Sequence, residues 1–207
     1  MNSNKMNLEQ INSDLKSDSP LSIVRWAIEH SKSPILTTNF GPYEASIIHL
    51  VTQVKPDIKV LWCDTGYNTS DTYRHAKELI ESFNLNMHIV TPELSKGFRD
   101  CVLGIPELNT KDHQTFTNQV KITPFNKAFK QLNPDLWITN IRKGQTANRS
   151  TLDTVSLNDQ GIIKVSPFFN WTDVQLDNYL KSNQLPNQSN YYDPTKIIAH
   201  RECGIHL

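Results

Sequence analysis

Pro34-Ile35-Leu36-Thr37-Thr38-Asn39-Phe40-Gly41-Pro42 is the stretch on which the fold turns. Its first five residues form a short strand-like run, and Asn39 to Pro42 turn the chain toward a helix predicted over 43–54. The unit then repeats. Ile58-Lys59-Val60-Leu61-Trp62-Cys63 reads as a buried strand ending at Asp64-Thr65-Gly66, with a helix near 70–83 and a strand over 86–91 behind it. A helix near 124–131 precedes the strand Leu136-Trp137-Ile138-Thr139-Asn140-Ile141. Upstream, Ile23, Val24, Trp26, Ala27 and Ile28 give a helix with a broad apolar face. Downstream come the apolar run Ile162-Ile163-Lys164-Val165 and a capping box, Thr172 with Gln175, opening a helix to about Leu180. Alternating strands and helices imply an α/β fold, a mostly parallel sheet flanked by helices, whose sites lie beyond the carboxyl ends of the strands. The loops after Thr38, Cys63 and Ile141 are therefore where chemistry is expected.

A chain of 207 residues can build one substantial core. Its 21 basic residues balance 21 acidic ones, so no global field points to nucleic acid or to an anionic membrane, and any anion site is local. The polar start, residues 1–10, does not read as a signal peptide, and no stretch reads as a membrane span. A cytoplasmic location is expected. Cys63, Cys101 and Cys203 are widely separated and form no CxxC pair, which argues against an internal redox pair and against a cluster held by four thiolates of one chain.

Within the first loop, Thr37, Thr38, Asn39, Phe40 and Gly41 supply hydroxyls, an amide and a flexible glycine at a strand-to-helix turn, where backbone N–H groups and the helix N-terminus can hold an anion. The same residues also make ordinary turns. Asp64 can accept hydrogen bonds from a sugar or base, and Thr65-Gly66 lets backbone pass close to a ligand; a turn and helix cap is the alternative reading. Cys63 is expected to face the sheet core. Lys121, Lys127, Lys130, Arg142, Lys143 and Arg149 make 118–149 a local positive segment against one acid, Asp135. Arg142, Gln145 and Arg149 follow a buried strand and suit phosphate or sulfate oxygens, whereas Lys127 and Lys130 read as a solvated face. The absence of regularly interleaved aromatics disfavours a single-stranded nucleic-acid groove.

The segment Arg201-Glu202-Cys203-Gly204-Ile205-His206-Leu207 places a thiol beside an Arg and near a His, cations that favour its thiolate. An inert thiol and a swinging nucleophile both fit these local residues. Cys101 has no partner motif and reads as structural or incidental.

Taken in chain order, five segments resemble the sulfonucleotide reductases, enzymes that reduce adenylyl sulfate or its 3'-phosphorylated form to sulfite. They are the 33–41 loop, Asp64-Thr65-Gly66-Tyr67, Lys121-Ile122-Thr123-Pro124-Phe125, Ile141-Arg142-Lys143-Gly144-Gln145 and the terminal Arg201 to His206. The last is the most specific. The resemblance implies an adenine nucleotide α-hydrolase-like (pyrophosphatase-loop) fold, with a sulfonucleotide-binding domain over 1–180 and a mobile C-terminal arm over 181–207. It implies nucleotide binding by Thr37, Thr38, Asn39, Phe40 and Gly41 and by Asp64, Thr65 and Gly66. Substrate contacts from Lys121, Arg142, Gln145, Arg149 and Arg201, with Cys203 as the catalytic cysteine, complete the set. The adenylyl-sulfate branch carries a Cys-Cys pair where this chain has Phe116-Thr117, and a later Cys-x-x-Cys that is absent here. The cluster-free branch, using 3'-phosphoadenylyl sulfate, is therefore the closer resemblance. Lys143 departs from the family's Arg-Arg pair. The connection before the terminal arm is shorter than the family's, and it lacks a His-Pro and Gly-rich segment.

The implied activity is reduction of 3'-phosphoadenylyl sulfate to sulfite and adenosine 3',5'-bisphosphate through a cysteine S-sulfonate. Reduced thioredoxin or glutaredoxin is the implied electron donor, with no bound cofactor or metal. The expected setting is sulfate assimilation and cysteine biosynthesis, in a homodimer. Adenylyl-sulfate reduction, adenylyl transfer and noncatalytic sulfonucleotide binding are the competing readings; the missing Ser-Gly-Gly-x-Asp-Ser pattern disfavours the second of these.

Overall fold

A computed structural model describes residues 7–107, 110–158 and 160–195. The central strands are β1 (Pro34–Thr38), β2 (Lys59–Cys63), β3 (Asn86–Val90) and β4 (Leu136–Ile138), joined by β5 (Val155–Leu157) and β6 (Ile163–Val165). They form one sheet in the order β3-β2-β1-β4-β6-β5, parallel except for the β5–β6 pair. Connections leave β1 toward β2 on one side and reach β4 on the other. That reversal opens a crevice at the carboxyl ends of β1 and β4.

Two layers cover the sheet because its strands are apolar on both faces. On one face Leu36, Val60, Trp62, Ile138 and Val165 pack in a cluster with α2 (Pro20–Glu29), α3 (Glu44–Thr52), α4 (Ser70–Ser82) and α8 (Asp173–Ser182). On the other face Ile35, Leu61 and Trp137 meet Phe125, Ala128 and Phe129 of α7 (Thr123–Leu132). Local chemistry sets the helix starts. Ser19 caps α2 ahead of Pro20, and Thr172 and Gln175 form the expected reciprocal capping box of α8.

Three short helices and one strand lie outside the sequence expectations: α1 (Leu8–Leu15), α5 (Lys96–Val102), α6 (Lys111–Thr117) and the antiparallel edge strand β5. The run expected as strand over 136–141 is shorter in the sheet. Thr139 N–H still donates to Val165 O at 2.9 Å, but Lys143 N–H goes to Phe169 O, so the chain peels away from the sheet and lines the crevice. The domain boundary expected at residue 180 falls within α8, and residues 187–195 are bonded back onto the domain.

Two histidines make folding sensitive to pH. Burial draws the His49 ring below its ordinary 6.5 and does the same to His75, where Glu78 opposes it in part. As pH falls below 6.5 the unfolded chain binds protons that the native state refuses, so stability is full above that value and declines on acidification through the native pKa values. The urea midpoint should drop between about pH 7 and 5.5, and the double variant His49→Gln, His75→Gln should flatten that slope. An unchanged slope in the variant would assign the pH dependence to other groups.

Candidate functional site

The first loop is built by its own side chains. Thr38 Oγ1 accepts the Phe40 amide at 3.0 Å and Asn39 Oδ1 accepts the Gly41 amide at 2.8 Å, two consecutive side-chain turns that reverse the strand. Phe40 takes a left-handed conformation, φ 51°, with its ring buried edge-on against Trp62. Gly41 is fixed by space: a Cβ there would stand 2.9 Å from Asn39 Oδ1 and 3.2 Å from the Tyr191 ring. Helix α3 follows from Tyr43, at φ 67°, without a side-chain cap on its first turn. Thr37 Oγ1 accepts the Trp137 indole N–H at 2.8 Å.

The loop after β2 stands beside it. Asp64 N–H continues the ladder to Val90 O, while Asp64 Oδ1 accepts from Gly66 N, Asn68 Nδ2 and Tyr73 Oη at 2.8–2.9 Å. Those bonds match the turn reading of Asp64, while the cap of α4 is Thr69, whose hydroxyl accepts the Thr72 amide. Gly66 sits at φ 81°, where a side chain would be strained. The Tyr73 phenol is pushed up to about 12, by burial first and then by the Asp64 carboxylate.

A cavity of about 510 Å³ opens at the carboxyl ends of β1, β2 and β4. Of the residues expected from sequence, it brings together Thr37, Thr38, Asn39, Thr65, Lys121, Arg142, Gln145 and Arg149. Phe40, Gly41, Asp64 and Gly66 belong to the two loops that border it but are not among its lining residues. Arg201 and Cys203 lie outside the described residues. Lys127 and Lys130 are exposed on α7, as a solvated face requires.

The basic wall has distinct supports. Lys121 rides on a π-helical turn (Asn118–Ile122) between α6 and α7, an irregularity of the kind that turns a side chain toward a site. Its buried ammonium meets Asp193 Oδ2 at 2.5 Å. Arg142 lies over the Tyr43 ring, 5.0 Å from its centroid, and pairs with the carboxylate of Asp173 at the start of α8. Its buried Nε has no hydrogen-bond partner among the described residues. Gln145 Oε1 accepts from the Arg142 amide at 3.0 Å and from Arg149 Nη1, which holds the two cationic residues and the amide as one unit. Exposed Lys143 stands apart from the cavity.

Cys63 does more than face the sheet core. It lines the cavity wall, yet its thiol donates to the carbonyls of Val120 and Lys121, and burial pushes its pKa up to about 12 despite nearby Lys121. Such a thiol is a poor nucleophile. Cys101 is exposed on α5 and away from the cavity.

Several wall residues escaped the sequence reading. Trp137, Asn140, Glu44, Lys164, Tyr191 and Asp193 all line the cavity. Asn140 Nδ2 donates to Tyr43 O and Glu44 Oε1, pinning the strand-β4 loop to the start of α3. Asn140, expected inside the strand over 136–141, stands in the loop after β4, and the ion-pair partner of Asp193 lies 72 positions away in sequence.

The model of the phosphoadenosine phosphosulfate reductase domain matches residues 33–193. A phosphoadenosine 5'-phosphosulfate reductase of Synechococcus sp. is 32% identical over 182 residues, covering 86% of this chain and 78% of its own. The protein of the same name from Proteus mirabilis is 33% identical over 184 residues, 88% of this chain and 75% of its own. Among solved structures, the phosphoadenylyl-sulfate reductase of Candida auris, in a phosphate complex, superposes with a TM-score of 0.78 at 24% identity over 90% of each chain. An NH3-dependent NAD synthetase of Campylobacter jejuni shares the fold at a TM-score of 0.55 and 15% identity, over 87% of this chain and 75% of its own.

Proposed function

The chain belongs to the phosphoadenosine phosphosulfate reductase family, and from that premise we infer that it reduces 3'-phosphoadenylyl sulfate to sulfite and adenosine 3',5'-bisphosphate. The observation that carries the reading to particular residues is one cavity with two unlike walls. Thr37 and Thr38 at the end of β1 and Asn39 in the turn after it present hydroxyl and amide groups, while Lys121, Arg142 and Arg149 present cations. A nucleotide bearing a phosphosulfate needs both.

Cys203 thiolate attacks the sulfur of the bound sulfonucleotide. The sulfur–oxygen bond to the phosphate breaks, and the leaving adenosine 3',5'-bisphosphate takes the electron pair. Lys121, Arg142, Arg149 and Arg201 stabilise the charge that gathers on that phosphate, and Gln145 keeps Arg149 in register. The product on the enzyme is a cysteine S-sulfonate. One thiolate of reduced thioredoxin or glutaredoxin then attacks Cys203 sulfur and expels sulfite. Its second thiol resolves the mixed disulfide, so the carrier leaves oxidised and Cys203 returns reduced. The two electrons come from the carrier, and the chain needs no internal cysteine partner.

No resident cofactor or metal enters this scheme. Phe116, at the position where the cluster-bearing branch has the first of its paired cysteines, is buried against Tyr67 at 5.4 Å between ring centroids. Among the described residues, no helix is long and apolar enough to cross a membrane. A cytoplasmic homodimer acting in sulfate assimilation is the setting that fits this chemistry.

The deciding experiment supplies the protein with thioredoxin, its reductase and each sulfonucleotide in turn, and measures sulfite. Sulfite is expected chiefly from the 3'-phosphorylated substrate. Sulfite from adenylyl sulfate at an equal or greater rate would reverse the specificity, and none from either would sink the reductase reading.

A further inference from the structure

Residues 187–195 form a strap along the cavity. Asn187 Oδ1 accepts the Tyr43 amide at 2.9 Å, Gln188 Nε2 donates to Phe40 O at 3.0 Å, and Thr69 Oγ1 donates to Asn190 O at 2.7 Å. Asn190 Nδ2 donates to Asp71, and the Tyr191 ring closes over Gly41. The strap therefore bridges the 37–41 loop and the start of α4 before ending beside Lys121.

Asp193 is the strap's anchor. Its Oδ2 meets Lys121 Nζ at 2.5 Å, while Oδ1 accepts the Thr195 amide at 3.0 Å and hydroxyl at 2.6 Å. Both side chains of the ion pair are nearly inaccessible, at 9% and 5% exposure. A buried ammonium requires a counter-charge, and here a carboxylate of the same chain supplies it. Lys121 and Asp193 also line the same cavity. A phosphosulfate oxygen offers Lys121 the same kind of contact, and in taking it would meet the Asp193 carboxylate at close range. Two anions sharing one ammonium away from water repel.

We propose that Asp193 is an intramolecular competitor for the anion site at Lys121, displaced by the substrate's anionic group, and that the 187–195 strap loosens when this happens. The proposal rests on the reading that Lys121 binds the phosphosulfate. Its consequence is a coupling: the strap runs into the segment that carries Cys203, eight positions beyond Thr195, so filling the cavity frees the root of the segment that delivers the nucleophile.

Calorimetric titration with adenosine 3',5'-bisphosphate tests this on the full chain and on the variants Asp193→Asn and Lys121→Ala. D193N, which keeps shape and removes the competing charge, is expected to bind about tenfold tighter than wild type, and K121A at least tenfold weaker. A second readout needs no variant. Nucleotide should speed hydrogen exchange of the wild-type Thr195 amide, whose acceptor is Asp193 Oδ1. D193N binding no tighter while K121A weakens binding would overturn the competition and leave Lys121 in the site. Unchanged affinity in K121A would remove Lys121 from the site and the proposal with it. Should D193N fail to fold, the exchange result decides alone: slower exchange at Thr195 with nucleotide bound overturns the proposal.

Discussion

Replacing Cys203 by Ser is expected to lower sulfite formation by at least about a thousandfold while leaving the affinity for adenosine 3',5'-bisphosphate within about twofold of wild type. A serine hydroxyl is a far weaker nucleophile at neutral pH and cannot form the sulfur–sulfur bond that the carrier later cleaves. The other two thiols cannot substitute. Cys63 is held protonated by burial and engaged with two backbone carbonyls, and Cys101 lies on α5 away from the cavity. Cys63→Ser and Cys101→Ser should therefore each retain most of the activity. Wild-type protein given 3'-phosphoadenylyl sulfate without reductant should gain one sulfonate group, and mass spectrometry of a digest should find it on the Cys203 peptide. Wild-type turnover by C203S would remove Cys203 from the mechanism.

The parts of the molecule legible in the sequence are those whose signal is local. β1 and β2 each carry enough apolar residues to announce a buried strand, and α8 announces its start through Thr172, whose hydroxyl accepts the Gln175 amide, whereas the cap of α4 is Thr69 rather than one of its polar neighbours Asn68, Ser70 or Asp71. β5 lacked that signal because three residues become a strand only by pairing, Val155 against Val165 and Leu157 against Ile163. α5 and α6, seven residues each, are too short to show a helical period; their caps Ser95 and Thr110 were visible only as polar loop residues. The site divides along the same line. Arg142, Gln145 and Arg149 sit within eight positions and form one hydrogen-bonded unit, so composition near a strand end sufficed to find them. Asp64 read as ligand acceptor or as turn residue, and its bonds to Gly66, Asn68 and Tyr73 build the turn. Asp193 makes a local turn with Thr195, but its pairing with Lys121 across the fold left no signal nearby in the sequence.

Trp137 belongs both to the core and to the cavity wall, and its replacement is expected to disturb each. Its ring, 5% exposed, lies among Phe129 at 5.2 Å, Phe125 at 5.9 Å and the Lys164 ammonium at 4.7 Å. Trp137→Ala empties that space beneath α7 and should cost about 3–5 kcal/mol in urea unfolding. Trp137→Phe refills most of the volume but deletes the indole N–H that Thr37 Oγ1 accepts, so it should cost only about 1 kcal/mol beyond the smaller ring's lost packing. The two variants separate stability from binding. With the indole occupying one lone pair of Thr37, the hydroxyl is fixed in a cavity-lining position; without it the hydroxyl rotates freely and presents no set direction to a ligand. W137F should therefore weaken adenosine 3',5'-bisphosphate binding by about threefold while remaining folded, and Thr37→Val should weaken it to a similar degree. Additive losses in the double variant Trp137→Phe, Thr37→Val would show two independent contributions, whereas a double loss no larger than either single one would show that Trp137 acts on the nucleotide through Thr37.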